Sequence, residues 1–255
     1  MDPRPYILAE TNWKAVKDTD YELAVLPWGA TEAHNYHLPY ATDVIQCDHI
    51  TAQAAGIAWN NGAKVIVLPT IAFGVNTGQL DVKLDMNLNP STQMAILKDI
   101  LSVLDGHQIR KFLILNGHGG NDFKQIVREL GALFPNMFIS TCNWYQSVKW
   151  EDYFTEMGDH AGEMETSVMM HIAPEWVLPL SQAGDGRGKT FNINSLNENW
   201  AWAERQWTKV TKDTGIGNPS RASAEKGKKY LQAVILKIAA LLEELATADI
   251  DDLYH

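Results

Sequence analysis

Nowhere in this chain do apolar residues run together for the roughly 18 positions that a membrane-spanning helix needs, so no stretch reads as one. Basic residues are few and scattered: 21 Lys and Arg stand against 31 Asp and Glu, for a formal charge of −10. The nearest thing to a basic cluster, Lys226, Lys228 and Lys229, reads as a solvated helix turn. Such a surface repels a phosphate backbone, which argues against nucleic acid as a partner. Cysteine is limited to Cys47 and Cys142, distant and without CxxC spacing. Neither a disulfide framework nor a thiolate zinc site is expected from them, and both read as reduced core residues. The opening MDPRPYILAE lacks a charged-then-apolar leader, so the expected location is cytoplasmic. Internal repeats, low-complexity linkers and shifts of composition are missing too, and residues 1–255 are read as one domain.

What the chain has is an ordinary globular composition, 45% hydrophobic and 20% charged, arranged as short apolar runs that alternate with longer amphipathic segments. Strands are predicted over about 21–30, 63–73, 110–120 and 136–145, and helices over about 44–60, 92–107 and 121–134. Continuous Val, Ile and Leu runs mark strands covered on both faces. Strands separated by helices of this length imply crossovers, hence an α/β fold with a mainly parallel sheet between helical layers. A further helix is expected over about 160–172 and a closing one to about 246, with an irregular stretch between them.

In sheets of this kind ligands collect beyond the carboxyl ends of the strands, and three polar clusters fall there. The first is WGATEAHNYHLPYATD, residues 28–43, which holds Glu32, His34, His37 and Asp43 with no Lys or Arg. Glu32 and His34, two apart, point the same way in extended backbone, and Asp43 has two oxygens that could bridge a pair of cations. The second is LNGHGGND, residues 115–122, where glycines on both sides of His118 permit a sharp turn and leave room for a metal or substrate beside Gly117 and Gly119. The third is DHAGEMETS, residues 159–167. On a helix His160 and Glu163 would share a face and Glu165 would point elsewhere, so Glu163 is expected to complete a metal shell while His160 stays free for proton transfer. Asp159 is expected to orient His160.

Read singly, each residue also has a structural role open to it. Glu32 could favour a helix N-terminus, Asp43 could cap the following helix, His118 could be a hydrogen-bonded strand end, and the glycines could be turn chemistry. His37, His49, His107 and His171 are read as structural. Together, two imidazoles and three carboxylates suit Zn²⁺ first, with Mn²⁺ or Fe²⁺ as alternatives, and lack the thiolates of a closed structural site. Two such cations can activate a water and polarise a carbonyl. A non-catalytic protein that grips a metal and a metabolite at the same edge is the competing reading.

The motifs LPWGATEAHNYHLPYATD, NGHGGN, HAGEMETS and TGIGNPSRASAEKG resemble, as a set, those of the creatininase family of metal-dependent amidohydrolases. The resemblance implies a three-layer αβα sandwich, a homo-oligomer of hexameric type and a two-metal centre with Glu32, His34, Asp43 and His118 as ligands, Asp43 bridging. It further implies His160 as proton shuttle and a small-molecule amide as substrate. The chain departs from creatininases proper at Gly120, where those enzymes resemble it up to the histidine but carry a glutamate two residues on. Glu163 is expected to supply that carboxylate. The NGHGGN form looks more like relatives that cleave formamides or peptide bonds in cofactor biosynthesis. The tryptophan-rich stretch of residues 197–207 reads equally as a substrate lid or a subunit contact, and TGIGNPSRASAEKG as a frame for the site or an interface.

Overall fold

The computed structural model describes residues 3–156 and 158–254. Four apolar runs become strands, β1 (Leu23–Trp28), β2 (Val65–Val67), β3 (Lys111–Asn116) and β4 (Phe138–Asn143). All pair in parallel, in the order β2-β1-β3-β4. Five long helices accompany them: α1 (Thr42–Asn60), α2 (Pro90–Gly106), α3 (Phe123–Leu133), α4 (Glu163–Ile172) and α5 (Ala224–Thr247).

Side chains alternate across a strand, so each run feeds two cores. Leu23, Val25, Leu113 and Leu115 pack with Ile50 and Ala54 of α1, Val168 of α4 and Val234 and Ile238 of α5. Ala24, Leu26, Phe112 and Ile114 pack on the opposite face with Leu97 and Leu101 of α2 and Ile126 and Leu130 of α3. This is the expected three-layer αβα arrangement, and helices on both faces explain why the strands read as unbroken apolar runs.

Register decides where chemistry can gather. Trp28 lies opposite Asn116, and Asn116 opposite Asn143, so β1, β3 and β4 stop on one line. The turns that follow β1 and β3 therefore emerge side by side. Asn116 donates to the His118 carbonyl at 2.8 Å and accepts the His118 N–H at 3.2 Å, which closes the turn after β3. Among the described residues no helix is long and apolar enough to cross a membrane.

One predicted element starts late. Ala161 adopts φ 52 and Gly162 is extended, so α4 begins at Glu163 rather than near 160. His160 precedes the helix, paired instead with Ile216 in an isolated antiparallel bridge. Ser223 caps α5 by accepting the Lys226 N–H.

Candidate metal centre

The turn after β1 brings Glu32 and His34 inward, the first turn of α1 supplies Asp43, and the turn after β3 supplies His118; all are buried. Asp43 does not cap its helix, whose N-cap is Ala41. Its Oδ1 lies 3.1 Å from His34 Nε2 and its Oδ2 lies 3.2 Å from His118 Nδ1. Glu32 Oε1 stands 2.9 Å from His118 Nδ1, 3.8 Å from His160 Nδ1 and 3.9 Å from His34 Nε2. Four residues from three regions of the sequence thus share one small space, with His160 beside them.

Each histidine is fixed by one backbone carbonyl. His34 Nδ1 donates to the Glu32 carbonyl at 3.1 Å, His118 Nε2 to that of Val75 at 3.0 Å, and His160 Nε2 to that of Ala33 at 2.8 Å. The opposite nitrogens all turn toward the carboxylates. A carbonyl that holds one imidazole N–H sets the tautomer and presents the other nitrogen as a ligand, the arrangement usual around protein metals.

Charge in the cluster is balanced internally. Burial works against the charged form of Glu32, yet His118, His160 and His34 together hold its carboxyl well below the usual range. Burial likewise opposes a charged His34, but Asp43 and its neighbours raise the ring to about 10. His118 is raised by Glu32 and Asp43 in the same way, again against burial. Protons therefore occupy the cluster at neutral pH when nothing else does.

The donor set fits a divalent metal. Ligand atoms of Glu32, Asp43 and His118 lie within 4.8 Å of one another, as do those of His34, Asp43 and Glu165, and those of Glu32, His34 and His160. Asp43 belongs to two of these groups, and its buried Oδ2 has only the His118 Nδ1 at 3.2 Å beside it, too poorly aligned for a well-formed hydrogen bond. A buried carboxylate oxygen so weakly satisfied is costly unless a cation or a better-placed proton meets it.

The third carboxylate is not the one expected. Glu163 faces away: Lys226 Nζ pairs with its Oε1, and its Oε2 accepts from the Thr155 N–H at 2.8 Å, the Thr155 hydroxyl at 2.7 Å and the Glu156 N–H at 3.2 Å. Those four donors fully engage it. Glu165, expected to point elsewhere, turns toward His34 and Asp43 while also accepting the Ala161 N–H. The late start of α4 is the reason, because the helical spacing of His160 to Glu163 does not exist.

Asp159 also departs from its expected role. Its side chain is 52% exposed and pairs with Arg205 at 2.6 Å, so the Ala33 carbonyl, not Asp159, orients His160. Gly117 is turned into the protein, where a β-carbon would collide with Cys47 Sγ, whereas the space beside Gly119 is open. A β-carbon at Gly120 would strike the Val75 carbonyl and the His118 ring.

Other contributors lie outside the three polar clusters, and of these Asp85 alone was not singled out in the sequence. Asp85 accepts the Ala33 N–H at 2.7 Å, and burial pushes its carboxyl up to about 6. Trp207 sets its ring edge-on to His160, 5.4 Å between centroids. The TGIGNPSRASAEKG motif frames the site: Ile216 bonds the backbone of His160 in both directions, and Gly217 packs against Gly158 and Gly162.

A sequence model of the creatininase family, described as creatinine amidohydrolase, matches residues 9–242. A solved structure from Bacteroides fragilis NCTC 9343, provisionally named a creatinine amidohydrolase, is 45% identical with a TM-score of 0.91, covering 98% of this chain and 99% of that one. The mycofactocin precursor peptide peptidase of Mycobacterium ulcerans (strain Agy99) is 25% identical over 226 residues, 83% of this chain and 80% of the relative. A structure titled creatininase Mn shares the fold at 23% identity and a TM-score of 0.77, covering 95% of this chain and 99% of that one.

Proposed function

Because this chain belongs to the creatininase family, we propose that it is a metal-dependent hydrolase that cleaves an amide-type carbon–nitrogen bond of a small molecule through a two-metal centre. The observation that carries this is the set of carbonyl-held imidazoles whose free nitrogens converge on shared buried carboxylates. Glu32, Asp43 and His118 would hold one ion, and His34, Asp43 and Glu165 the other. Zinc is the first choice for this nitrogen and oxygen set, with manganese or iron next. Bound there, the ions would supply an activated water and a polarised carbonyl.

The chain's own groups do the rest. His160, with Nε2 committed to Ala33, offers Nδ1 as the atom that hands a proton to the departing nitrogen. Asp85, bonded to the Ala33 N–H, and Ala33, accepting from His160, hold that ring in place. Trp207 walls off one side of it. The open side of Gly119 leaves room for substrate. Cyclic amides, formamides and the amide bond of a short processed peptide are the substrate classes to try, the last because a relative is named for a precursor peptide.

Zinc-loaded protein should hold two equivalents per chain and hydrolyse a member of that panel. Glu32→Ala, His118→Ala and Glu165→Gln should each lose bound metal and turnover. His160→Ala and Glu163→Gln should keep both ions, with His160→Ala slowing turnover by about 10²–10⁴-fold. Wild-type protein that takes up no divalent ion, or Glu32→Ala at the wild-type rate, ends this reading. We further place the protein in the cytoplasm as a homo-oligomer, for which the exposed Trp200 and Trp202, at 73% and 86%, supply apolar surface. A monomer mass by light scattering overturns the assembly.

A further inference from the structure

Residues 74–79, GVNTGQ, reach the site from outside every motif discussed above. Two of them touch the metal cluster. Val75 gives its carbonyl to His118, and Gln79 donates Nε2 to Glu32 Oε2 at 2.6 Å. The stretch is itself anchored: the Val75 N–H donates to Asn121 Oδ1 at 3.0 Å, and the Asn76 N–H donates to Asn87 Oδ1 at 2.8 Å. Asn76 Oδ1 accepts from the Gln79 amide at 3.3 Å.

On the outer side, residues 204–208 lie across this stretch. Thr77 donates to the Glu204 carboxylate, and Thr208 to that of Asp81. A β-carbon at Gly78 would collide with the Arg205 carbonyl, so the two chains meet backbone to backbone. The end of the tryptophan-rich segment thus presses on the turn that holds Gln79.

The consequence falls on Glu32, whose two oxygens are made unequal. Oε1 faces all three imidazoles, at 2.9, 3.8 and 3.9 Å, whereas Oε2 is taken by Gln79. A free carboxylate can swing or bind through both oxygens; one whose Oε2 is held by Gln79 cannot swing freely and turns Oε1 to the cluster. Gln79 is buried, and its own Oε1 has no hydrogen-bond partner among the described residues. A buried acceptor left unmet lowers stability, so that half of the amide does nothing to hold the fold together.

We propose that Gln79 is a positioning residue whose amide commits Glu32 to present a single oxygen to the metal cluster, and that residues 204–208 brace it there. This rests on the two-metal reading of the site. Loss of an outer partner of a ligand typically weakens a metal site by about 10–100-fold.

The test is competition of the whole protein against a chromophoric chelator for zinc, beside the melting temperature of the metal-free form. Gln79→Met keeps length and loses the donor. It should weaken one of the two zinc affinities by about 10–100-fold and shift the metal-free melting temperature little, because the donor lost from Glu32 Oε2 is offset by removal of the unmet Gln79 oxygen. A merely structural role would lower that temperature and leave affinity alone. Gln79→Asn keeps an amide but falls short of Glu32, and should give the same loss if the methionine variant does not fold. Thr77→Val, on the outside of the turn, should weaken zinc in the same direction by a smaller factor. Wild-type affinities in Gln79→Met or Gln79→Asn overturn the assignment and leave the metal site standing; zinc binding absent from the wild type overturns both.

Discussion

At His34, burial alone would strip the ring of its proton, yet Asp43 at 3.1 Å raises it to about 10. A metal needs the neutral ring, so uptake of an ion at pH 7 must expel protons. Zinc titrated into metal-free protein in weak buffer should therefore release at least one proton per chain. Apparent affinity should rise about tenfold per pH unit for each proton displaced, a trend that fades near pH 10. The sign for stability is opposite in the metal-free state: a histidine raised from 6.5 contributes fully below that value, and the contribution is lost as the pH climbs through about 10. Pairs of melting curves with and without chelator read both effects. Flat affinity between pH 6 and 9 would sink this picture of the site. At this scale the first-turn cluster was legible, because Glu32, His34 and Asp43 occur within twelve residues without an opposing cation. Their carbonyl partners were not, since a backbone oxygen has no letter in the sequence.

The start of α4 shows how an element boundary redirects chemistry. Placing helix at 160 put Glu163 beside His160; the chain instead turns through Ala161 at φ 52 and caps at Gly162. Counted from that cap, Glu165 is the third helical residue, and its carboxylate reaches back to the Ala161 N–H. The bond goes to the residue before the N-cap, and glycine has no side chain to return it, so no capping-box pattern in the sequence announced it. Glu163 becomes a tether to α5 through Lys226. The two helices also meet at Gly227, where a β-carbon would collide with the Ser167 carbonyl. Alanine would gain about 1 kcal/mol of helix propensity, but overpacking typically costs about 1–3 kcal/mol, and here the obstacle is backbone that cannot swing aside. Gly227→Ala should lower the melting temperature and, by shifting α4, reduce zinc affinity. A variant that melts higher than the wild type would show that the crossing has slack.

Across the whole molecule, the layered scaffold was readable because strand faces and helix stripes repeat with fixed periods. The walls of the site were readable only in part, as a tryptophan-rich stretch and a glycine-rich motif whose place was left open between the site and an interface. Residues 74–88 and 198–217 have no periodicity, and their partners lie far away: Thr77 meets Glu204, and Ile216 meets His160. The site therefore joins both cores with both irregular walls, and its occupancy should be felt by the whole fold. Zinc at about 100 times its dissociation constant should add roughly 2.7 kcal/mol per independent site. Thermal unfolding should shift upward with zinc and return with chelator; a melting temperature indifferent to both would detach the cluster from metal binding.

The ground beneath His118 is already occupied, since a β-carbon at Gly120 would strike both the imidazole and the Val75 carbonyl. Grafting an acidic side chain onto that loop is thus not a one-codon change: the loop would have to be rerouted first. On this backbone the turn after β3 has no room for a side chain at Gly120, so Gly120→Glu alone should destabilise the fold rather than add a donor, and a designer must rebuild the entire turn.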